Sequence, residues 1–204
     1  PDLVDAAGNS RTDMARAGAA MFFLPSVRRQ LAAEIEAQFA AFAATDLGLD
    51  HVNSHKHFHL HPTIAALIVK IGAAHGVRGA RVPLEPQSVL ARIEPRRVSG
   101  VVALTAPFAR RLRRRFAHAG IASPDQVFGL AWSGAMTPDR LAGLIEHLPD
   151  GLSEIYTHPA TAHYPGCAPD YLYARELAAL TDARLPALLG ARDIRLGGFG
   201  DFPV

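Results

Sequence analysis

The chain has 204 residues, of which 49% are hydrophobic and 20% are charged, and its formal net charge is +2. This composition supports a folded core and excludes an intrinsically disordered chain. No apolar run approaches the roughly 20 residues that span a bilayer, and residues 1–5 lack the pattern of a signal peptide, so we expect a cytoplasmic protein. The mild charge gives no reason to expect a nucleic acid as partner.

Hydrophobic spacing, helix caps and proline or glycine breaks predict alternating helices and short strands. After an irregular segment over 1–20, the predicted helices cover residues 25–45, 62–76, 107–118, 137–147, 171–181 and 185–189. The predicted strands cover residues 49–55, 77–82, 126–130, 152–156 and 194–199, and a long loop is predicted over 84–97. This alternation is typical of an α/β fold with a parallel sheet, in one domain over residues 1–204. A full (β/α)8 barrel needs about 250 residues, so an open sheet, a smaller barrel and an incomplete barrel all stay open.

Five of the ten histidines lie between positions 51 and 61. If these residues alternate as in a strand, one side carries the following residues: Asn53, His55, His57, His59 and His61. Crowded imidazoles need polar partners when buried and repel one another when protonated, and a divalent cation that binds neutral imidazoles resolves both problems. The segment therefore predicts a metal site with one or two histidine ligands and an oxygen ligand from elsewhere. The alternative is a run of surface histidines.

Residues 51–62 resemble the H-x-D-S-H-x-H-x-H-x-x-P signature of the YdjC-like (ChbG-type) carbohydrate deacetylases. The resemblance continues through residues 76–78, 81–83, 128–129, 133–137, 154–159 and 194–196, and its detail is similar to the branch associated with hopanoid biosynthesis, HpnK. It implies a parallel (β/α)-barrel-like fold and removal of the acetyl group from an N-acetylglucosamine unit, here linked to a hopanoid lipid.

The resemblance also implies a divalent metal ion, magnesium or zinc, held by one Asp and two His. His55 falls on the metal-binding His of the signature, Asn53 replaces its Asp, and we predict His59 as a second metal ligand. His158, in a His-Pro pair, falls on the family's late His-Pro and is the candidate catalytic acid or electrostatic helper. The predicted substrate-binding residues are Asn53, His57, Arg81 and Trp132.

Arg81 and Trp132 each have a second interpretation. Arg81 could bind sugar hydroxyls or form a surface ion pair. Trp132 could stack on a sugar ring or pack in the core.

Two family motifs do not occur among the 204 residues. They are Asp-Asp-Phe-Gly, which supplies the base and a metal-binding Asp, and Gly-x-His-Leu, which supplies the second metal-binding His. Because residues 1–5 resemble the family segment that follows both motifs, we expect a member that lacks its N-terminal part. We expect little or no turnover from these residues alone.

Other functions and partners stay open. A metal-dependent phosphoesterase and an inactive metal- or sugar-binding remnant are the alternatives to a deacetylase. Five arginines between positions 110 and 115 could rest on an anionic membrane surface at the inner face, or form a solvated helix face. A homo-oligomer is a further alternative, and no glycine-rich nucleotide-binding loop is present.

Overall fold

The computed structural model describes residues 13–95 and 100–202. The fold is mixed α/β and mostly helical, with a parallel sheet of two strands in this part of the chain. The helices are α1 (Met14–Phe23), α2 (Pro25–Ala43), α3 (Pro62–Gly72), α4 (Gln87–Ile93), α5 (Gly100–His118), α6 (Pro138–His147), α7 (Tyr173–Leu180) and α8 (Leu185–Ala191). The strands are β1 (Gln126–Phe128) and β2 (Ser153–Ile155), and 3-10 helices cover His55–Leu60, Ala73–His75 and Phe199–Asp201.

The described residues form two compact units. The first contains residues 13–81 and 107–123, and the second contains residues 82–95, 100–106 and 124–202. Within the described ranges, no helix is both long and apolar enough to cross a bilayer. The prediction of a single domain over residues 1–204 stays a prediction.

The first unit is built on contacts among α1, α2 and α3. Both α2 and α3 begin with a proline, whose fixed φ suits the first turn of a helix and whose missing N–H costs nothing there. The buried side chains of these two helices are Val27, Leu31, Ile64, Ala65 and Ile68. Single parallel bridges pair Val52 with Ala80 and Gly79 with Ala122, so the segments predicted as the first two strands do run in parallel.

The second unit is built on β1 and β2, which pair in parallel with Val127 opposite Glu154. The carbonyl of Leu84 accepts the Val127 N–H at 2.8 Å, so the chain near residue 84 also runs beside β1. Helix α6 begins where Thr137 accepts the Arg140 N–H. The core of this unit consists of Val89, Leu90, Phe128, Trp132, Met136, Leu141, Leu144, Ile145 and Ala179.

Most predicted elements are confirmed to within a few residues. These are the helices over 25–45, 62–76, 137–147, 171–181 and 185–189 and the strands over 126–130 and 152–156. Their signals are local: a cap or proline at the start and apolar side chains at helical or strand spacing.

Outside the histidine-rich segment, four predicted elements are wrong in the described residues. The predicted loop over 84–97 contains α4, because Val89 and Leu90 bury their side chains one turn into a helix. Residues 14–20 of the predicted irregular segment are helical, while residues 1–12 lie outside the described residues. The helix predicted to begin at Pro107 begins at Gly100 and accommodates that proline. The predicted strand over 194–199 pairs with no segment of residues 13–95 or 100–202.

The barrel-like sheet is the largest difference. The described residues contain two paired strands and two isolated bridges, and no closed barrel. Backbone pairing depends on segments distant in the sequence, so the pattern of each predicted strand did not determine how far the sheet extends.

Candidate functional site

The histidine-rich segment is not the strand that its alternation predicted. Residues His55–Leu60 form 3-10 turns interrupted by a kink, where Lys56 (φ 47°) and His57 (φ 56°) are left-handed. Ser54 Oγ accepts the His59 N–H at 2.9 Å and thereby closes this turn. The prediction that alternate side chains of this segment share one side is therefore wrong.

The ring of His59 is held by two hydrogen bonds, and the residue is 1% exposed. Its Nε2 lies 2.8 Å from the carbonyl oxygen of Arg81. Because a carbonyl only accepts, Nε2 carries the proton and Nδ1 accepts from the Ser54 hydroxyl at 2.6 Å. Burial, the largest cause, lowers the pKa of His59 to about 4, so the ring is neutral near pH 7.

Both nitrogens of His59 are thus engaged in this arrangement. A metal ion could bind the ring only after one of the two hydrogen bonds broke. The role of His59 as a metal ligand stays a prediction.

The other histidines of the segment have different environments. His61 caps α3, because its Nδ1 accepts the Thr63 N–H at 3.2 Å, and burial lowers its pKa. His57 is half-buried, with its ring centroid 6.0 Å from that of His59. Asn53 and His55 are exposed. His55 is therefore the predicted ligand most accessible to a metal ion in solution.

Histidine 59 makes the stability of the first unit dependent on pH. The folded pKa of about 4 lies below the ordinary value of 6.5, so between these values the unfolded state binds a proton that the folded state excludes. The resulting contribution of about 3 kcal/mol is complete above pH 6.5 and is lost as the pH falls to 4. Urea unfolding should show the stability gap between the wild type and His59→Gln shrinking over this range. The free energy of unfolding of the exposed control His55→Gln should differ from that of the wild type by the same amount at each pH. A difference between His59→Gln and the wild type that does not change with pH would contradict this explanation.

The described residues do not make up a metal centre. Among residues 13–95 and 100–202, no three His, Cys, Asp or Glu side chains lie together as a metal-binding group. Asn53, at the position of the family's Asp, offers an amide oxygen without the negative charge that favours a divalent cation. A metal held through His55 would need ligands beyond those found together here.

A second group of polar residues lies at the carboxyl ends of β1 and β2. Since the two strands are parallel, the loops that follow them leave the same edge of the sheet, where α/β folds place their ligand sites. His158 lies in the loop after β2. Its ring packs edge-on against Tyr171, at 4.9 Å between centroids, and Tyr156, at 5.7 Å.

The two nitrogens of His158 differ in accessibility. Nδ1 is buried and has no hydrogen-bond partner among the residues that the structure describes, although it lies 3.8 Å from Oε2 of Glu176. The side chain as a whole is 37% exposed. Nε2 is therefore the ring nitrogen that water or a substrate could reach.

Two buried carboxylates hold the loops around His158. Glu85 accepts the backbone N–H groups of three consecutive residues, Gly129, Leu130 and Ala131, at 2.9, 3.0 and 3.0 Å. Glu176 is fully buried and accepts the N–H of Met136 at 3.0 Å and the N–H of His158. The loop after β1 is thus held at both ends by carboxylates. Glu176, one of the two, also holds the backbone of His158 in the loop after β2.

Comparison with known proteins gives the family. The model of the YdjC-like protein family matches residues 1–191. The chain belongs to this family. The carbohydrate deacetylase of Geobacillus stearothermophilus is 26% identical to this YdjC-like chain over 180 residues, which are 86% of this chain and 59% of the relative. The carbohydrate deacetylase of Homo sapiens is 29% identical over 208 residues, covering 87% of this chain and 60% of the relative.

A third relative matches a shorter part of the chain. The carbohydrate deacetylase of Brevibacillus brevis is 30% identical over 77 residues, which are 38% of this chain and 29% of the relative. This YdjC-like chain therefore spans about three fifths of the two longer-matching relatives. No solved structure matches it significantly.

The substrate-binding residues predicted for this YdjC-like chain lie in unlike settings. Trp132 is 4% exposed in the core of the second unit, with the Arg140 guanidinium 5.2 Å above its ring. This is the core position that was the alternative to sugar stacking. Arg81 is half-buried, and its backbone oxygen holds His59. The sugar-binding roles of these residues, and of Asn53 and His57, stay predictions.

Sequence reasoning missed both buried carboxylates. A signal for Glu176 was present, because it lies on the apolar face of α7 with Tyr173 and Ala179, where a charged residue needs a partner. Glu85 gave a weaker signal, as a lone charge in the apolar, proline-rich stretch 82–86.

Proposed function

We propose that this YdjC-like chain is part of a carbohydrate deacetylase that removes the acetyl group from an N-acetylglucosamine unit. The observation that carries the proposal is the family match over residues 1–191, together with relatives named as carbohydrate deacetylases. The position of His158 at the carboxyl edge of the sheet supports it, since this is where such folds place their chemistry.

The proposal includes finer points that rest on the sequence resemblance. The amino sugar is attached to a hopanoid lipid, as implied by the similarity of residues 51–62 and of the later matching segments, taken together, to the HpnK branch. The fold is a parallel (β/α)-barrel-like one, in keeping with the parallel pairing of β1 with β2 and of Val52 with Ala80. A divalent metal ion, magnesium or zinc, would be held in part by His55 and would polarise the acetyl carbonyl.

His158 has a definable task in this reaction. Hydrolysis of the acetamide forms a bond from water oxygen to the carbonyl carbon and breaks the bond from that carbon to nitrogen. The departing nitrogen must take up a proton, so that acetate and a free amine result. In its protonated form, His158 donates this proton from Nε2, the ring nitrogen that is accessible.

Acetate release tests the proposal. The product of the complete open reading frame that contains these residues, supplied with Mg²⁺ or Zn²⁺, should convert an N-acetylglucosamine conjugate to acetate and free amine, and a chelator should stop it. The 204 residues alone should give little or no acetate, because they do not make up a metal centre in the described residues. Equal turnover by the two proteins would contradict the need for further ligands. Release of phosphate from phosphate esters in place of acetate would contradict the deacetylase assignment.

A further inference from the structure

We propose that Glu176 is a positioning residue for His158, which selects the tautomer that carries the proton on Nδ1 and leaves Nε2 facing the substrate. This inference deepens the proposed function and rests on it for its catalytic meaning. The tautomer itself is a property of the ring that can be measured whether or not the protein is a deacetylase.

The first step of the argument is the backbone. Glu176 is fully buried on α7, and a buried carboxylate persists only where hydrogen bonds offset its lost hydration. Its two oxygens accept N–H groups from both loops at the carboxyl edge: Oε1 from Met136 and Oε2 from His158. Charge-assisted bonds of this kind are about twice as strong as neutral ones. One side chain thus ties the loop after β1 to the backbone of the histidine after β2.

The second step is the ring. Oε2 of Glu176, which holds the His158 backbone, lies 3.8 Å from the buried Nδ1 of the same residue. A carboxylate only accepts, so a proton on Nδ1 is attracted to this oxygen whereas a lone pair there is repelled. The separation is longer than a hydrogen bond, and such bonds commonly tighten when substrate binds. The hydrogen-bond partner of one ring nitrogen decides whether the other nitrogen carries the proton. With Glu176 beside Nδ1, the proton of the neutral ring lies on Nδ1, and Nε2 keeps its lone pair.

The third step is the restraint on the ring plane. Tyr171 packs edge-on against His158, and its hydroxyl lies 2.9 Å from Ser133 Oγ. Gly134 is left-handed (φ 74°), and a Cβ there would overlap the Tyr171 ring. The Tyr171 ring therefore has little room to move away from His158. The imidazole is held with Nδ1 toward Glu176 and with the edge that carries Nε2 exposed.

Imidazole ¹⁵N NMR tests the inference on the product of the complete reading frame, at a pH where the ring is neutral. The His158 signals are assigned by their loss in His158→Asn. We expect Nδ1–H in the wild type and a shift toward Nε2–H in Glu176→Gln. The control is Glu85→Gln, which alters a second buried carboxylate that accepts the N–H groups of residues 129–131 and should leave the tautomer unchanged.

Kinetics supply the second readout. Glu176→Gln should lower kcat for acetate release about 10²-fold with KM within about two-fold, as expected for misplacement of a proton donor. Glu176→Asp should recover part of this loss.

The outcomes separate the inference from the proposed function. Nε2–H in the wild type would overturn the inference without any variant having to fold. An unchanged tautomer in folded Glu176→Gln would overturn it as well. The expected tautomers without acetate release from any of the proteins would support the positioning of the ring and contradict the deacetylase proposal.

Discussion

Replacement of His158 by glutamine is expected to lower kcat for acetate release by about 10²- to 10⁴-fold, the usual contribution of a general acid. The reason is that the departing amine needs a proton, and Nε2 of His158 is the accessible nitrogen of a ring fixed between Tyr156 and Tyr171. The measurement is steady-state acetate release by the product of the complete reading frame. KM should change little, because the proton is transferred in the transition state.

The matched control lies in the same loop. His163 is exposed, and its Nε2 lies 3.2 Å from the carbonyl oxygen of Pro169. His163→Gln should keep kcat within about two-fold of the wild type. A His158→Gln protein that keeps more than about a tenth of wild-type kcat would contradict the role of His158 as acid.

Replacement of Glu85 by alanine is expected to lower the free energy of unfolding by at least about 3 kcal/mol. Three backbone N–H groups, at residues 129–131, lose their acceptor together, and each buried group left unsatisfied costs about 1–3 kcal/mol. Urea unfolding followed by the fluorescence of Trp132, adjacent to this loop, reports the change.

Glu94→Gln is the control for this loss. Glu94 also carries a carboxylate in the second unit, but it is 46% exposed and pairs with Arg140 at 2.8 Å. An exposed ion pair contributes about 0–1 kcal/mol. A loss below about 1 kcal/mol for Glu85→Ala, equal to that of Glu94→Gln, would show that the loop does not depend on the buried carboxylate.

Five of the helices were predicted well from the sequence, for reasons visible in single elements. Helix α6 has Thr137 and Pro138 at its start, and α3 has Pro62 there and a buried stripe at helical spacing. Both signals act over a few residues, so they can be recognised in the sequence without knowledge of the tertiary arrangement.

Strands and turns were harder to predict because their partners are distant or unusual. The segment 53–61 alternates as a strand does, yet the bonds between Ser54 and His59 and two left-handed residues turn it into kinked 3-10 turns. Residues 194–199 have strand-like composition but pair with no strand in the described part of the chain. Alternation of side chains therefore indicates which residues would share a face of a strand, but it does not show whether the segment pairs with another strand.

For the candidate site, the sequence predicted His158 but not the two buried carboxylates, Glu85 and Glu176, that hold the loops around it. His158 was found by resemblance to a motif. The partners of Glu85 are backbone groups 44–46 residues away, and those of Glu176 are backbone groups 18 and 40 residues away. Backbone donors leave no mark in the pattern of side chains, so only the fold could reveal which groups these two carboxylates bind.

The proposed function requires that this chain carry the proton-donating histidine of a carbohydrate deacetylase. Product analysis with an N-acetylglucosamine glycolipid tests this requirement by comparing the product of the complete reading frame with its His158→Gln variant. We expect equimolar acetate and free amine from the former and about a hundredfold less of both from the latter. An unaltered acetamide after incubation with the metal-supplied wild type, or equal yields from the two proteins, would contradict it.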